Sequence, residues 1–154
     1  FTTVYRSHEG NIPEKNVQIY SNTTTLKHFS RFSQVYAAWH FYRKELMQEA
    51  AQTGMPVVRA LFLHYPNDPK TYSIAAREFL VGSKLLVDPQ TKTVEVYLPK
   101  GEWVHVWSGK VYGQKTTGEE ISVKAPLGEP AVFYKKGSQK GERFVANLKE
   151  RGLL

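Results

Sequence analysis

Residues 93–107 read Thr93-Val94-Glu95-Val96-Tyr97-Leu98-Pro99-Lys100-Gly101-Glu102-Trp103-Val104-His105-Val106-Trp107, and this stretch decides the fold. Two runs rich in β-branched and aromatic residues flank Pro99-Lys100-Gly101, a turn signal in which proline and glycine interrupt regular structure. Trp103 and His105 alternate with Val104 and Val106, which suits a strand with one face buried, because side chains alternate across a strand. Residues 93–98 and 102–107 are therefore predicted strands. The pattern continues on both sides, in Leu85-Leu86-Val87 before it and in 120–124 and 130–134 after it. Turn signals at Ser108-Gly109, Gly118 and Leu127-Gly128 separate these segments. Short strands at such intervals predict an antiparallel β-sandwich. Residues 57–65 read as a further strand closed by the turn Tyr65-Pro66-Asn67-Asp68-Pro69, and 71–79 as a short helix. A last helix, 140–151, is expected to dock Phe144, Val145 and Leu148 on the sandwich.

Upstream of residue 57 the period changes. Residues 22–53 predict one long helix, with Ser21 or Asn22 as N-cap and Gly54 followed by Pro56 as the stop. At about 100° per residue, Phe29, Phe32, Val35, Tyr36, Trp39, Tyr42, Leu46, Met47 and Ala50 share one broad face. Such a stripe is core in most proteins. Arg43 projects from that face and needs an acid or carbonyl oxygens as partners. Phe41 lies on the opposite side, either simply exposed or touching something outside the chain. Residues 1–5 read as a short β-like segment. The polar loop Arg6-Ser7-His8-Glu9-Gly10-Asn11 follows, and loops hung from strand ends are where binding residues gather.

The composition narrows the chemistry. The absence of cysteine excludes disulfides, thiolate metal sites and cysteine nucleophiles, and is compatible with a reducing compartment, so a cytoplasmic location is expected. The five histidines contain no HExxH spacing, no GxSxG elbow marks a serine nucleophile, and no glycine-rich phosphate loop appears. No metal and no cofactor are expected. No run approaches the ~20 apolar residues of a membrane span, so no membrane partner is expected. The net charge of +7 includes Lys135, Lys136, Lys140, Arg143, Lys149 and Arg151 near the C-terminus. Glu142 and Glu150 interrupt that run, which favours a solvated helix face over a nucleic-acid footprint. Glycosidases need two acids flanking one bond. The close pairs here are Glu9 with Glu14 and Glu119 with Glu120, and structural or positioning roles suit both better than catalysis. Trp103, Trp107 and Tyr112 could stack sugars in a carbohydrate-binding module, although a core role fits the alternation better.

Four stretches resemble family 31 glycoside hydrolases. Tyr5-Arg6-Ser7-His8-Glu9-Gly10-Asn11 is similar to the family's aromatic-Arg-x-His segment near the end of the catalytic barrel. Gly54-Met55-Pro56-Val57-Val58-Arg59-Ala60-Leu61-Phe62 resembles its Gly-x-Pro-x-x-Arg-Pro-Leu exit from that barrel. Glu78-Phe79-Leu80-Val81-Gly82 with Leu85-Leu86-Val87 resembles its Phe-Leu-x-Gly and Leu-Leu-Val strands. Val96-Tyr97-Leu98-Pro99 with Gly101-Glu102-Trp103 resembles its Tyr-Leu-Pro, Gly-x-Trp hairpin. Within the family the similarity is to the sulfoquinovosidase subgroup, through Arg6 to Pro13, Leu63-His64-Tyr65, Trp103 to Gly109 and Ala125 to Tyr134. Ala60 stands where the family usually has proline, Asp88 where it has alanine, and Phe41 where these helices often have proline.

The resemblance implies an α+β piece of a retaining α-glycosidase: residues 1–56 as the last strand-loop and helix of a (β/α)₈ barrel, 57–138 as the sandwich, and 139–154 as a terminal helix. It implies that the catalytic aspartates lie upstream. His8 is the residue that carries over, as a substrate-binding group for a sugar hydroxyl, with Arg6 supporting the loop. The expected partner is therefore a carbohydrate α-glycoside, probed through a barrel that these residues complete. The chain opens on Phe1 inside an apolar segment, as expected of a piece of a longer protein. A barrel helix without its neighbours would leave aromatic surface uncovered, so self-association of the isolated piece is expected.

Overall fold

The computed structural model describes residues 1–8 and 10–154. Among these residues four α-helices and eight strands follow one another: α1 (Thr23–Ala38), α2 (His40–Thr53), β1 (Val58–Arg59), α3 (Lys70–Ser73), β2 (Phe79–Val81), β3 (Leu85–Asp88), β4 (Lys92–Leu98), β5 (Trp103–His105), β6 (Val111–Tyr112), β7 (Glu119–Ala125), β8 (Ala131–Lys135) and α4 (Gln139–Glu150). The strands form a six-stranded antiparallel sheet in the order β1-β2-β3-β8-β5-β6 and a two-stranded antiparallel ribbon, β4-β7.

The layers follow from strand alternation. Val81, Leu85, Val87 and Val132 face the helices and share a core with Val35, Trp39, Tyr42, Leu46, Phe144 and Leu148. Leu80, Leu86, Ala131, Phe133 and Trp103 face the other way, onto Val94, Val96 and Val123 of the ribbon. The large sheet is thus covered on both faces, which is why Leu85, Leu86 and Val87 of β3 are all apolar where a half-exposed strand would alternate. The predicted antiparallel sandwich is present, as an α+β unit with the helices stacked on its outer side.

Several sequence expectations are corrected. Residues 1–8 form no strand; no strand of the described residues lies alongside, and Phe1 instead packs on Trp39 and Phe144. Residues 57–65 give only the two-residue β1 and a 3₁₀ turn, Leu61–Leu63, because Arg59 bonds to its own neighbourhood and the chain turns under α3. The predicted helix over 71–79 shrinks to the four residues of α3, and Phe79 joins β2. The long helix is two helices, broken at Trp39.

At that break the helical ladder is replaced by side chains. Arg43 Nη1 donates to the Tyr36 carbonyl at 2.9 Å, and Asn147 Nδ2 on α4 donates to the Ala38 carbonyl at 2.7 Å. Carbonyls freed at a helix end need such partners when water is excluded. The Arg43 guanidinium also lies 3.6 Å from the Tyr36 ring centroid and 4.7 Å from that of Trp39. Its expected carbonyl partner is therefore found. Phe41 has a partner within the chain, the Arg143 guanidinium 4.2 Å from its ring centroid. The predicted ends are observed: Asn22 accepts the Thr25 N–H at 2.8 Å, and Gly54 closes α2 at φ +76°.

On the apolar face of α1 and α2, Val35, Trp39, Tyr42 and Leu46 are buried under the sheet and α4, Phe29, Phe32, Tyr36 and Ala50 are half-buried, and Met47, expected on the same face, is exposed. Exposed large apolar residues concentrate earlier instead, at Val4, Ile12, Val17, Tyr20 and Leu26. No helix among the described residues is long and apolar enough to cross a membrane.

Candidate functional site

The loop that carries His8 is built on two anchors. Tyr5 stacks on Phe29 at 5.1 Å between ring centroids and contacts Tyr36 at 5.4 Å, while the Tyr36 hydroxyl donates to the Thr3 carbonyl at 2.7 Å. These contacts lay residues 1–5 along α1. Downstream, Asn16 folds back over the loop: its Oδ1 accepts the Gly10 N–H at 2.9 Å and its Nδ2 donates to the Gly10 carbonyl at 3.3 Å. A Cβ at position 10 would stand 2.8 Å from Asn16 Oδ1, so glycine is what allows the clamp to close. The short 3₁₀ turn Pro13–Lys15 delivers Asn16 to that point.

Between the anchors Arg6, Ser7 and His8 are exposed, and Glu9 lies outside the described residues. Arg6 makes no hydrogen bond or ion pair among the described residues; the visible loop support is Asn16, which sequence reasoning did not single out. An asparagine three residues after a proline, a common turn-closing arrangement, is the signal that could have found it.

His28, His40, His64 and His105 each make contacts within the fold. His28 packs at a tilt against Phe32, with ring centroids 4.9 Å apart. His40 Nδ1 meets Arg43 Nη2 at 3.2 Å. His64 Nε2 lies 3.0 Å from Arg59 Nη1 and must accept there, which leaves its proton on Nδ1. Burial and then the Arg59 charge hold the His64 pKa below the ordinary imidazole value. His105 is buried beside Ser108 at 2.9 Å, and burial likewise lowers its pKa. No group of three metal-ligating side chains forms among the described residues.

The carboxylates divide in the same way. Glu119 accepts the Gly113 N–H at 3.1 Å and Glu120 pairs with Lys70 at 2.6 Å, so this pair ties loops together. Sequence reasoning named Glu78 and Asp88 only within family-like stretches and did not foresee that both are fully buried beside one cation. Arg77 Nη2 donates to Glu78 Oε1 at 2.9 Å, and its Nε lies 3.7 Å from Asp88 Oδ2. Glu78 Oε1 also accepts the Tyr97 N–H at 3.0 Å, linking the large sheet to the ribbon. Desolvation pushes both carboxyls above their ordinary range. Neither oxygen pair reaches solvent, so these acids brace the sandwich and face no ligand.

Arg59, the arginine of the motif that leaves the helices, is a third buried hub. Its Nε donates to the Pro56 carbonyl at 2.5 Å and its Nη2 to Glu49 Oε2 at 2.5 Å. Trp103 is wholly buried, with its indole N–H donating to the Pro99 carbonyl at 2.9 Å, which removes it as a sugar-stacking surface. Of the C-terminal basic residues, Lys136 pairs with Glu102 at 3.0 Å, Lys140 with Glu45 at 2.6 Å, and Arg143 lies over Phe41. That pairing speaks for a folded surface over an open cationic tract.

Comparison with known proteins gives a consistent picture. Residues 54–138 match the family model described as the glycosyl hydrolase family 31 C-terminal domain. A sulfoquinovosidase of Agrobacterium fabrum (strain C58) is 48% identical over 149 residues, covering 94% of this chain and 22% of that protein. A sulfoquinovosidase of Escherichia coli (strain K12) is 39% identical over 150 residues, covering 95% of this chain and 21% of that protein. A solved family 31 sulfoquinovosidase from E. rectale, in complex with the aza-sugar inhibitor IFGSQ, superposes with a TM-score of 0.88 at 38% identity, over 97% of this chain and 22% of that one. The chain thus spans about a fifth of the length of the curated relatives it matches.

Proposed function

The chain belongs to glycosyl hydrolase family 31, and from that premise we propose that it is the C-terminal part of a retaining α-glycosidase that cleaves α-sulfoquinovosides. One observation carries this reading. The similarity to sulfoquinovosidases covers 94% of the chain, and so runs through both long helices as well as the sandwich that the family model matches.

In this reading residues 1–56 complete the catalytic (β/α)₈ barrel, 57–138 form the sandwich behind it, and 139–154 lock the two together. His8 offers an imidazole at the mouth of the barrel, where a hydrogen bond to a sugar hydroxyl orients the ring for attack. The Asn16 clamp on Gly10 and the Tyr5 stack on Phe29 anchor the segments on either side of it. Retention needs a nucleophile and an acid/base about 5–5.5 Å apart. The resemblance to the family assigns both catalytic aspartates to barrel segments upstream of this chain, and Glu78, Asp88, Glu119 and Glu120 have bracing roles here.

The test uses the whole enzyme that contains this chain, with aryl α-sulfoquinovoside and aryl α-glucoside as substrates. We expect the sulfonated substrate to be preferred, and His8→Ala to lower kcat/KM by about tenfold or more, the effect of losing one substrate hydrogen bond. Preference for the glucoside would move the assignment to an α-glucosidase of the same family. Turnover by the 154-residue chain alone, above a His8→Ala control, would overturn the division of labour.

A further inference from the structure

A cleft of about 420 Å³ opens at one end of the sandwich, between the turn that follows the 3₁₀ segment and the loop joining β6 to β7. Its volume falls within the ~300–1,000 Å³ range of small-ligand sites. Tyr97 forms part of the lining, and its hydroxyl donates to Asp68 Oδ2 at 2.6 Å. Asp68 Oδ1 accepts the Lys70 N–H at 3.1 Å. The carboxylate is therefore engaged at both oxygens, and burial pushes the Tyr97 phenol well up, so that hydrogen bond persists through neutral pH. Gly118 covers the same hydroxyl so closely that any Cβ there would overlap it.

Four other lining groups remain unengaged. The Tyr65 hydroxyl, the Asn67 amide, the Thr116 hydroxyl and the Lys100 ammonium make no hydrogen bond or ion pair among the described residues. Together they present a mixture of donors and acceptors with one positive charge. An apolar ligand would strip water from these groups and leave them unpaired. A cation would meet Lys100 and find the one lining carboxylate already engaged. A pyranose matches the set, because its ring hydroxyls both donate and accept while its C–H face can lie against the Tyr65 ring.

We propose that this cleft is a carbohydrate-binding site, for a single pyranose bearing an anionic substituent directed at Lys100. The choice of a sulfonated sugar as that ligand rests on the sulfoquinovoside reading above, whereas the cleft and its free groups do not. An exposed ammonium contributes modestly, so the preference over the neutral sugar is expected to be about three- to tenfold, with dissociation constants of order 1 mM.

The experiment is a titration of the ¹⁵N-labelled 154-residue chain, followed by amide chemical shifts, with methyl α-sulfoquinovoside, methyl α-glucoside and methanesulfonate as probes. Saturable shifts at Asn67, Thr116, Thr117 and Gly118 are expected, tightest for the sulfonated glycoside. Lys100→Ala should erase the preference while leaving the rest of the spectrum in place, and Thr116→Val should weaken both sugars. Absence of saturable shifts at these residues, or a preference that survives Lys100→Ala, overturns the proposal. Equal response to methanesulfonate reduces the cleft to an anion site and overturns the sugar assignment. Hydrolysis is not read in this titration, so its failure leaves the glycosidase assignment standing. A whole enzyme that cleaves no glycoside likewise leaves this binding measurable.

Discussion

Asn147 on α4 donates its side-chain amide to the Ala38 carbonyl 2.7 Å away, across 109 positions of sequence, at the point where the long helical segment breaks. The contact joins the last helix to the first and replaces the helical bond that the break removes. Asn147→Ala should leave that carbonyl without its donor and cost about 1–2 kcal/mol. Asn147→Asp, which keeps the shape but offers only acceptors, should do no better. Urea unfolding of the three proteins checks this; a midpoint unchanged in Asn147→Ala would show that water caps Ala38 equally well.

Gly82 follows β2 in the left-handed region at φ +58°, and a Cβ there would overlap the Tyr42 hydroxyl and stand 2.6 Å from Leu46 Cδ2. The same hydroxyl accepts the Ser83 N–H at 3.1 Å. Gly82→Ala should therefore cost about 2–4 kcal/mol, from the left-handed backbone together with overpacking. Adding Tyr42→Phe should recover part of that loss by removing the overlapped oxygen. Additive losses in the double variant would place the strain in the backbone alone.

Arg77 is the shared partner of the two sealed acids, Glu78 and Asp88. Arg77→Met should destabilise the chain by about 2–3 kcal/mol, a value lowered from that of a fully buried pair because the arginine is partly exposed. In an Asp88→Ala background the same substitution should cost about 1 kcal/mol less, because one of the stranded charges is gone. Thermal unfolding of the four-member cycle measures the coupling; zero coupling would detach Asp88 from Arg77.

His105 gives the stability a pH dependence. Burial lowers its folded pKa below the unfolded value of about 6.5, so the unfolded chain takes up the proton first as pH falls. Its contribution is complete above about pH 6.5 and is lost as pH drops from there towards the lowered folded value. His64 acts in the same sense. Glu78 and Asp88 act oppositely: their raised folded values make the folded state hold protons more tightly, so their contribution declines as pH rises from about 4. Comparing wild type with His105→Gln cancels the shared terms. The variant should lose less stability than wild type between pH 7 and pH 5.5, and an equal loss would show that His105 does not titrate with folding.

The strands over 93–98, 120–124 and 130–134, the cap at Asn22, the stop at Gly54 and the helix over 140–151 were all legible in the sequence, whereas the strand expected over 102–107 narrows to Trp103–His105 and turns at Val106. Each depends on alternation, turn chemistry or capping within a few residues, and local sterics decide these whatever the rest of the chain does. The His8 loop was legible as a motif. Its clamp was not, because the Gly10–Asn16 contact depends on where the 3₁₀ turn aims Asn16.

Tertiary structure alone decided the rest. The break at Trp39 lies inside a sequence with unbroken helical periodicity, and its free carbonyls are met by Arg43 from the next turn and by Asn147 from the far end of the chain. Residues 57–65 are apolar enough for a strand, yet Arg59 bonds back to Pro56 and across to Glu49, and the chain turns away. Glu78, Asp88 and Arg77 form a buried cluster, and Tyr97 meets Asp68 across 29 positions to shape the cleft, only once the two sheets have closed. Local pattern fixes which residues can face a core. Which distant partner satisfies a buried charge or an orphaned carbonyl is fixed only by the packing that excludes water from it.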